Sequence, residues 1–542
     1  MSTGRFAGTG ALLRLILRLD RIKLTLWLLG LITLISITPF SLRAVLQTEA
    51  DAQGATVEQI LIQQAELLET NGPSIALQGP PDALDTFGGR YAFEIGAFTL
   101  VFVALMNILL IGRHTRAEEE SGRAEMVRAA AVGPWSSLAA VGIVAVATNL
   151  VLGGGTAAAF IADGLDVGRS LLYGASMMLC GLLFAAFALI WVQVFEYSRP
   201  ATGASLAVVA VAFALRAVGD LRDNWLSLVS PLGWVQGVDA FGEARVWPFV
   251  VSVVAIAVAV AVAVNLAARR DVGAGLVQQR PGPGDGSASL TTPLGFAWRL
   301  QRSTLVWWAV GAAFLGAVYG SVISAIDELV EQNESIREIF ESIGMSGDEL
   351  RNGFITVILS MLALITTGGV IQTLLRPRGE ESAGRAEPVL GTALSRRAWL
   401  GSHVALSLVA APLFMLAGGL AMSLSDAAVT GTFTDVGGMV TAALARVPAQ
   451  WAVAGIGVLF YGLAKRLSLA VWAVFAGAAV VFLFGDLLRL PDMVMNLSPI
   501  RHVTHLPGGD QGWTAIVVLL AIAAATTVTG MALFDRRDID TA

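Results

Sequence analysis

The sequence predicts an all-α, polytopic membrane protein of about twelve transmembrane helices, arranged as two parallel six-helix halves with small helical caps on the outer side. Three observations predict this. Of 542 residues, 55% are hydrophobic and only 14% charged, with a mean hydropathy of +0.71; a soluble domain carries about 25% charged residues, so lipid must cover much of this apolar surface. Charge-free runs of the ~20 residues that a bilayer-crossing helix needs recur along the whole chain. Short motifs of the first half also return in the second, in the same order.

The runs are 24–42, 95–112, 135–160, 170–195, 200–215, 246–268, 303–326, 352–375, 398–425, 447–464, 467–485 and 511–534. The run 200–215 is short, and 447–464 can be extended back towards Val436. The first run follows Arg14, Arg18, Arg21 and Lys23. It exceeds the roughly 7–15 apolar residues of a signal peptide, so it reads as a retained transmembrane helix.

Orientation follows from Lys and Arg, which concentrate in cytoplasmic loops. With the N-terminus inside and every run crossing, the inner segments hold 24 of the 35 Lys+Arg. The long outer loops, 44–94 and 327–351, are acidic, and stretches such as Val57–Thr70 and Asp327–Ile343 have helical patterning. Both termini are therefore expected in the cytoplasm of a bacterial inner membrane. The organisation expected is a cytoplasmic amphipathic stretch at 1–23, a first half at 24–268, a cytoplasmic linker at 269–302, a second half at 303–534 and a tail at 535–542.

The duplication rests on three matches. Glu-Glu-Ser-Gly-Arg-Ala-Glu at 119–125 returns with one inserted residue as Glu-Glu-Ser-Ala-Gly-Arg-Ala-Glu at 380–387. Ser230-Pro231-Leu232 returns as Ser498-Pro499-Ile500, and Arg269-Arg270-Asp271-Val272 as Arg536-Arg537-Asp538-Ile539. The spacings of 261, 268 and 267 are nearly constant. Parallel repeats of this kind are a common transporter plan. The Gly-, Pro- and Ser-rich segment 278–292 reads as a flexible linker between the halves.

The repeated acidic element is the most informative feature. Each copy, 116–128 and 378–390, reads as a short charged helix after the second span of its half. Glu119 and Arg123, like Glu381 and Arg385, are four apart and would face each other on a helix. Such an element can be a docking helix that receives force from a partner, or a solvated interfacial turn with snorkelling arginines.

At this point the chain resembles a known family. Two six-helix halves, each with an acidic Glu-Glu…Gly-Arg…Glu loop after its second span, look like fused ABC-2-type (type V exporter) permeases, most of all the actinobacterial exporters of polyketide antibiotics of the tetronasin type. The opening Gly8-Thr-Gly-Ala-Leu-Leu-Arg-Leu-Ile-Leu-Arg-Leu-Asp-Arg-Ile22 and Pro73-Ser-Ile-Ala-Leu-Gln-Gly-Pro80 are similar to that group. The resemblance implies that Glu119, Glu120, Gly122, Arg123 and Glu125, with Glu380, Glu381, Gly384, Arg385 and Glu387, form coupling helices seated in two copies of a separate ATPase subunit. It also implies an amphipathic elbow helix at 5–23, and the residues agree: Leu12, Leu13, Leu15, Ile16 and Leu19 alternate with arginines at helical spacing, as in a helix lying in the interface. Phe296–Arg302 repeats this pattern in shorter form.

The chain has two lysines, Lys23 and Lys465, and neither sits in the Gly-x-x-x-x-Gly-Lys-[Ser/Thr] loop that grips phosphates. The chain is therefore read as a permease and not an enzyme, with no cofactor of its own; ATP and Mg²⁺ would be bound by the partner. Cys180 is the only cysteine, which excludes an internal disulfide. His114, His403, His502 and His505 suggest no metal centre, and no nucleic-acid partner is expected.

Buried ionisable groups within spans are costly and often functional, and here the spans are nearly free of them. A candidate path for a small hydrophobic substrate is drawn through Asn107, Asn149, Met177, Phe184, Gln193 and Gln372; lipid contact or helix packing accounts for the same residues. The segments 216–245 and 486–510, before the sixth span of each half, suggest either short helices dipping into the outer leaflet or plain exterior loops. The expected function is export of hydrophobic or amphipathic compounds (antibiotics, drugs, or lipids) driven by ATP. The alternative is a proton-coupled twelve-helix secondary multidrug carrier, which would need a set of buried Asp, Glu or His relays.

Overall fold

The computed structural model describes residues 4–69, 72–129, 132–271, 273–277, 284–332, 347–431, 436–484, 491–496, 498–502, 506 and 512–538. The chain divides into two compact units, Met1–Gly282 and Pro283–Ala542. Among the described residues there is no β-strand, only an isolated bridge between Phe195 and Val277.

The first unit comprises α1 (Thr9–Gln53), α2 (Val57–Glu69), α3 (Gly72–Gln78), α4 (Phe87–His114), α5 (Arg116–Glu120), α6 (Arg123–Arg128), α7 (Ser136–Ala162), α8 (Val167–Val194), α9 (Ser198–Leu221), α10 (Leu226–Val229), α11 (Pro231–Gln236) and α12 (Trp247–Ala268). The second comprises α13 (Pro293–Gln332), α14 (Gly347–Leu374), α15 (Arg376–Ser382), α16 (Ala386–Leu390), α17 (Arg396–Thr430), α18 (Val436–Leu444), α19 (Val447–Leu463), α20 (Val471–Phe484), α21 (Asp492–Met495) and α22 (Trp513–Arg536).

Among the described residues, eleven helical stretches are long and apolar enough to cross a membrane, and the two contiguous helices α18 and α19 make one of them. The expected span 467–485 is a shorter apolar helix, a 3₁₀ turn at Leu467–Ala470 leading into α20. The short run 200–215 grows into α9 because Ser198 and the Ala-rich stretch up to Leu221 continue the helix. No boundary falls at residue 23: α1 is one helix of 45 residues. No Gly or Pro interrupts Ala11–Leu29, and leucine and arginine are both good helix formers. The stretch expected as a separate elbow thus forms about the first four turns of α1. α13 likewise runs unbroken through Phe296–Arg302. Most of the loop 327–351, with His505 and much of 486–510, lies outside the described residues.

Each unit has its own core. In the first, α4 and α8 are the most enclosed spans, while the apolar flanks of α1 and α12 stay uncovered, as suits lipid contact. In the second, α14 and α18–α19 are the enclosed ones. Lipid tails are as apolar as leucine, so helices in a bilayer associate through close packing rather than expulsion of water. Glycines supply the close approaches here: Gly153 lies against Gly174, Gly316 against Gly418 and Gly462 against Gly530.

The loop side of the first unit carries one strained charge. Asp82, between α3 and α4, has its carboxyl pushed up to about 6 by burial and by the carboxylates of Asp239, Asp220 and Glu243, against the pull of Arg245. It lines a small cavity of about 50 Å³ together with Met177, Tyr173 and Gln236. A raised carboxyl pKa means that the folded protein holds this proton more tightly than the unfolded chain. Stability should therefore decline as pH rises from about 4 through 6. Asp82→Asn is expected to flatten that decline and to raise the unfolding midpoint at pH 7.5 by the equivalent of about 1–2 kcal/mol after solvent screening. A thermal melt series across pH checks it.

Candidate functional site: a clamped acidic element in each half

The acidic elements are each two short helices with a turn between them, rather than one helix. In the first half α5 ends at Glu120 and α6 starts at Arg123; in the second α15 ends at Ser382 and α16 starts at Ala386. The turn is set by Gly122 (φ 73°) and Gly384 (φ 67°), whose left-handed backbone is cheap only for glycine.

That break changes the ion pairs. The expected Glu119–Arg123 and Glu381–Arg385 pairs do not form, because i,i+4 geometry requires a continuous helix. Instead Arg123 forks onto Glu118 (2.7 and 3.0 Å) and Arg385 onto Glu380 (2.8 and 3.3 Å), each five residues back across the glycine turn. The two elements therefore correspond without any insertion at a spacing of 262: Glu118 with Glu380, Glu119 with Glu381, Gly122 with Gly384, Arg123 with Arg385 and Glu125 with Glu387. The inserted residue inferred from the sequence came from matching the wrong glutamates of the Glu118-Glu119-Glu120 run.

The second glutamate of each pair is turned inward and held from the far end of its half. Arg270, just past α12, donates two bonds to Glu119 (2.7 and 2.8 Å) and a third to Gln193 Oε1 (2.5 Å) at the end of α8. Arg116, fully buried, adds a bond to Glu119 (2.7 Å) and ties down the carbonyls of Val192 and Ala274. In the second half Arg537, just past α22, reaches Glu381 Oε2 (2.7 Å), and Tyr461 near the end of α19 donates to the same oxygen (2.6 Å). The Arg537 guanidinium also lies over the Tyr461 and Phe534 rings, 4.8 and 5.2 Å from their centroids. Arg270 and Arg537 come from the repeated Arg-Arg-Asp motifs, and Gln193 and Tyr461 are 268 positions apart. The same clamp is thus built twice, joining the end of the second span, the end of the fourth and the end of the sixth.

Of the remaining charged element residues Glu380 is buried, and several others face outward. Glu120 is exposed and accepts from the backbone N–H and hydroxyl of Ser198, capping α9. Arg123, Glu125, Arg385 and Glu387 are exposed. The guanidinium pKa of Arg123 and of Arg385 is raised by the hydrogen-bonded glutamate beside it. Sequence reasoning missed Glu118, Arg116, Arg270, Arg537 and Tyr461. The repeated Arg-Arg-Asp motif was the available signal for two of them. It also missed Asp20, the one acid in the basic start of α1, which is buried and accepts from Arg113 (2.7 Å) and His114 (2.6 Å), fastening α1 to the end of α4.

The six residues of the candidate path do not share one lining. Asn107 and Asn149 are fully buried and bonded to each other in both directions (3.1 and 2.6 Å). Met177 lines the small cavity near Asp82, Phe184 is buried in the core, Gln193 belongs to the clamp, and Gln372 accepts from the Trp308 indole (2.6 Å). Among the described residues no group of three or more His, Cys, Asp and Glu could hold a metal ion.

Fold and site together define a multi-pass α-helical membrane protein with a paired, internally clamped polar element at the end of its second spans. The chain belongs to the multidrug efflux permease family. It is 34% identical over 539 residues to the multidrug efflux system permease protein Rv1217c of Mycobacterium tuberculosis (strain ATCC 25618 / H37Rv), an alignment covering 98% of this chain and 96% of that protein. Residues 290–535 match the family described as multidrug efflux system permease Rv1217c, C-terminal domain.

Proposed function

We propose that this chain is the permease subunit of an ATP-binding-cassette exporter of the ABC-2 type, moving hydrophobic or amphipathic compounds outward with ATP hydrolysed by two copies of a separate subunit. The carrying observation is the paired element. Each half presents exposed Arg and Glu side chains on a short helix–turn–helix, and each is fastened by its inward glutamate to the ends of three spans. A push on such an element would be passed on to those spans instead of being lost in a loose loop. In this reading both elements and both termini face the cytoplasm of the inner membrane, in keeping with the Lys and Arg distribution. The family membership supports drug efflux, and the absence of a P-loop motif from the sequence calls for a partner that supplies one.

Purification from native membranes is expected to bring down a Walker-motif ATPase at two copies per permease, and Glu125→Lys with Glu387→Lys is expected to release it by reversing the exposed charge. Inverted vesicles should accumulate drug only with ATP. Accumulation by the purified chain alone on a proton gradient would instead establish the secondary carrier.

A further inference from the structure

The two clamps are alike, but the space beside them is not. In the second half it is filled by rings. Trp399 of α17 stacks on Phe534 of α22 (5.9 Å between centroids), Phe534 stacks on Tyr461 of α19 (5.4 Å), and Trp399 meets His403 edge-on (5.5 Å). All four are at most 3% exposed.

The spacings that relate the repeated motifs identify their counterparts. At 262, the offset of the acidic elements, Trp399 and His403 correspond to Ser137 and Val141. At 267, the offset of the Arg-Arg-Asp motifs, Phe534 corresponds to Ala267. At 268, Tyr461 corresponds to Gln193. Ser137, Val141, Gln193 and Ala267 all line a single cavity of about 280 Å³ in the first half. The first half therefore keeps the helices that frame the aromatic stack and lacks the rings themselves. The rest of the wall is apolar, from Leu12, Ile16, Trp135 and Leu138, apart from the clamp side, where His114, Thr115, Glu118, Glu119 and Arg270 stand.

We propose that this cavity is a binding site for an uncharged, flat, fused-ring aromatic amphiphile, which occupies the space that Trp399, Tyr461 and Phe534 fill in the other half. The volume lies at the lower edge of the ~300–1,000 Å³ typical of ligand pockets, which fits two or three rings. The charged groups on the clamp side are already paired, Glu119 with Arg270, Glu118 with Arg123 and His114 with Asp20, so a formal charge on the ligand would meet no free partner. The flat shape follows from the second half, where planar rings pack between the same helices. A ligand seated here would touch the first clamp alone, so the two elements would respond to it unequally.

The test is photolabelling of the permease by itself in lipid nanodiscs with a naphthyl diazirine, mapped by mass spectrometry. Because no ATPase is present, its outcome is independent of how transport is powered. Label is expected on 9–19 and 134–141, with at least a tenfold loss in Ala267→Phe, which installs the ring that the second half uses at that position. Ser137→Trp should act in the same way and decides the matter if the first variant misfolds, with thermal unfolding as the fold control. Undiminished labelling in a folded variant would overturn the proposal. So would a linear alkyl diazirine that labels the cavity as strongly as the naphthyl probe, since the occupant would then be an acyl chain.

Discussion

Replacing Arg270 and Arg537 together by glutamine is expected to lower drug efflux at least about tenfold while the protein still reaches the membrane. Each substitution leaves an inward-facing glutamate, Glu381 buried and Glu119 largely so, short of its main counter-charge: Glu119 keeps only Arg116, and Glu381 keeps only the Tyr461 hydroxyl. Breaking a buried ion pair from one side costs roughly 3–5 kcal/mol, because the remaining charge is desolvated without compensation. The cheapest relief is for each glutamate to swing out to water, carrying α5 or α15 with it and freeing the element from the fourth and sixth spans. Only about 1.4 kcal/mol of such displacement changes an equilibrium tenfold.

The lysine variants should be intermediate. An ammonium keeps the charge but cannot fork onto both Glu119 oxygens and reach Gln193 as Arg270 does. The graded order, wild type above lysine above glutamine, separates loss of the clamp from general damage. The measurement is drug accumulation in inverted vesicles alongside the unfolding midpoint. Wild-type efflux in a well-expressed double glutamine variant would show that force does not pass through the clamp.

The second large effect is expected at Gly181. A methyl group there would fall on Asn149 Oδ1 and crowd Asn107 Nδ2. Gly181→Ala must therefore part the two buried carboxamides, which otherwise bond one another across α4 and α7. Losing both cross-helix bonds and leaving amide groups unsatisfied in an apolar interior should cost about 2–4 kcal/mol. In an Asn149→Ala background the obstructing amide is already gone, so adding Gly181→Ala should cost less than about 1 kcal/mol, and the two changes should be strongly non-additive. Melting of the three variants in detergent tests this. Additive losses would mean that Gly181 serves the packing of α8 in some way unconnected with the asparagines.

The same pair illustrates where sequence reading stops. Asn107 and Asn149 stand out in a one-dimensional scan because amides are rare in apolar runs, and a polar residue in a membrane invites a transport role. Only their mutual distance reveals that each satisfies the other. Glu119 shows a related limit. Helical spacing ties it to Arg123, yet one glycine in a left-handed conformation ends the helix between them and hands Arg123 to Glu118. Local periodicity holds only as far as the helix does.

The sequence by itself determined that the chain spans a membrane many times, close to where each span lies, and that its halves are related. These properties follow from an elementary demand, that lipid leaves backbone polar groups unsatisfied outside helices and excludes charge from their apolar faces, and that demand is written residue by residue along the chain. Which charges meet was decided only in three dimensions. Arg270 and Glu119 are 151 positions apart, and the contrast between stacked rings in one half and an open cavity in the other depends on four side chains from three different helices. Such contacts join residues that share no local pattern, so their identity becomes visible only when the helices are packed.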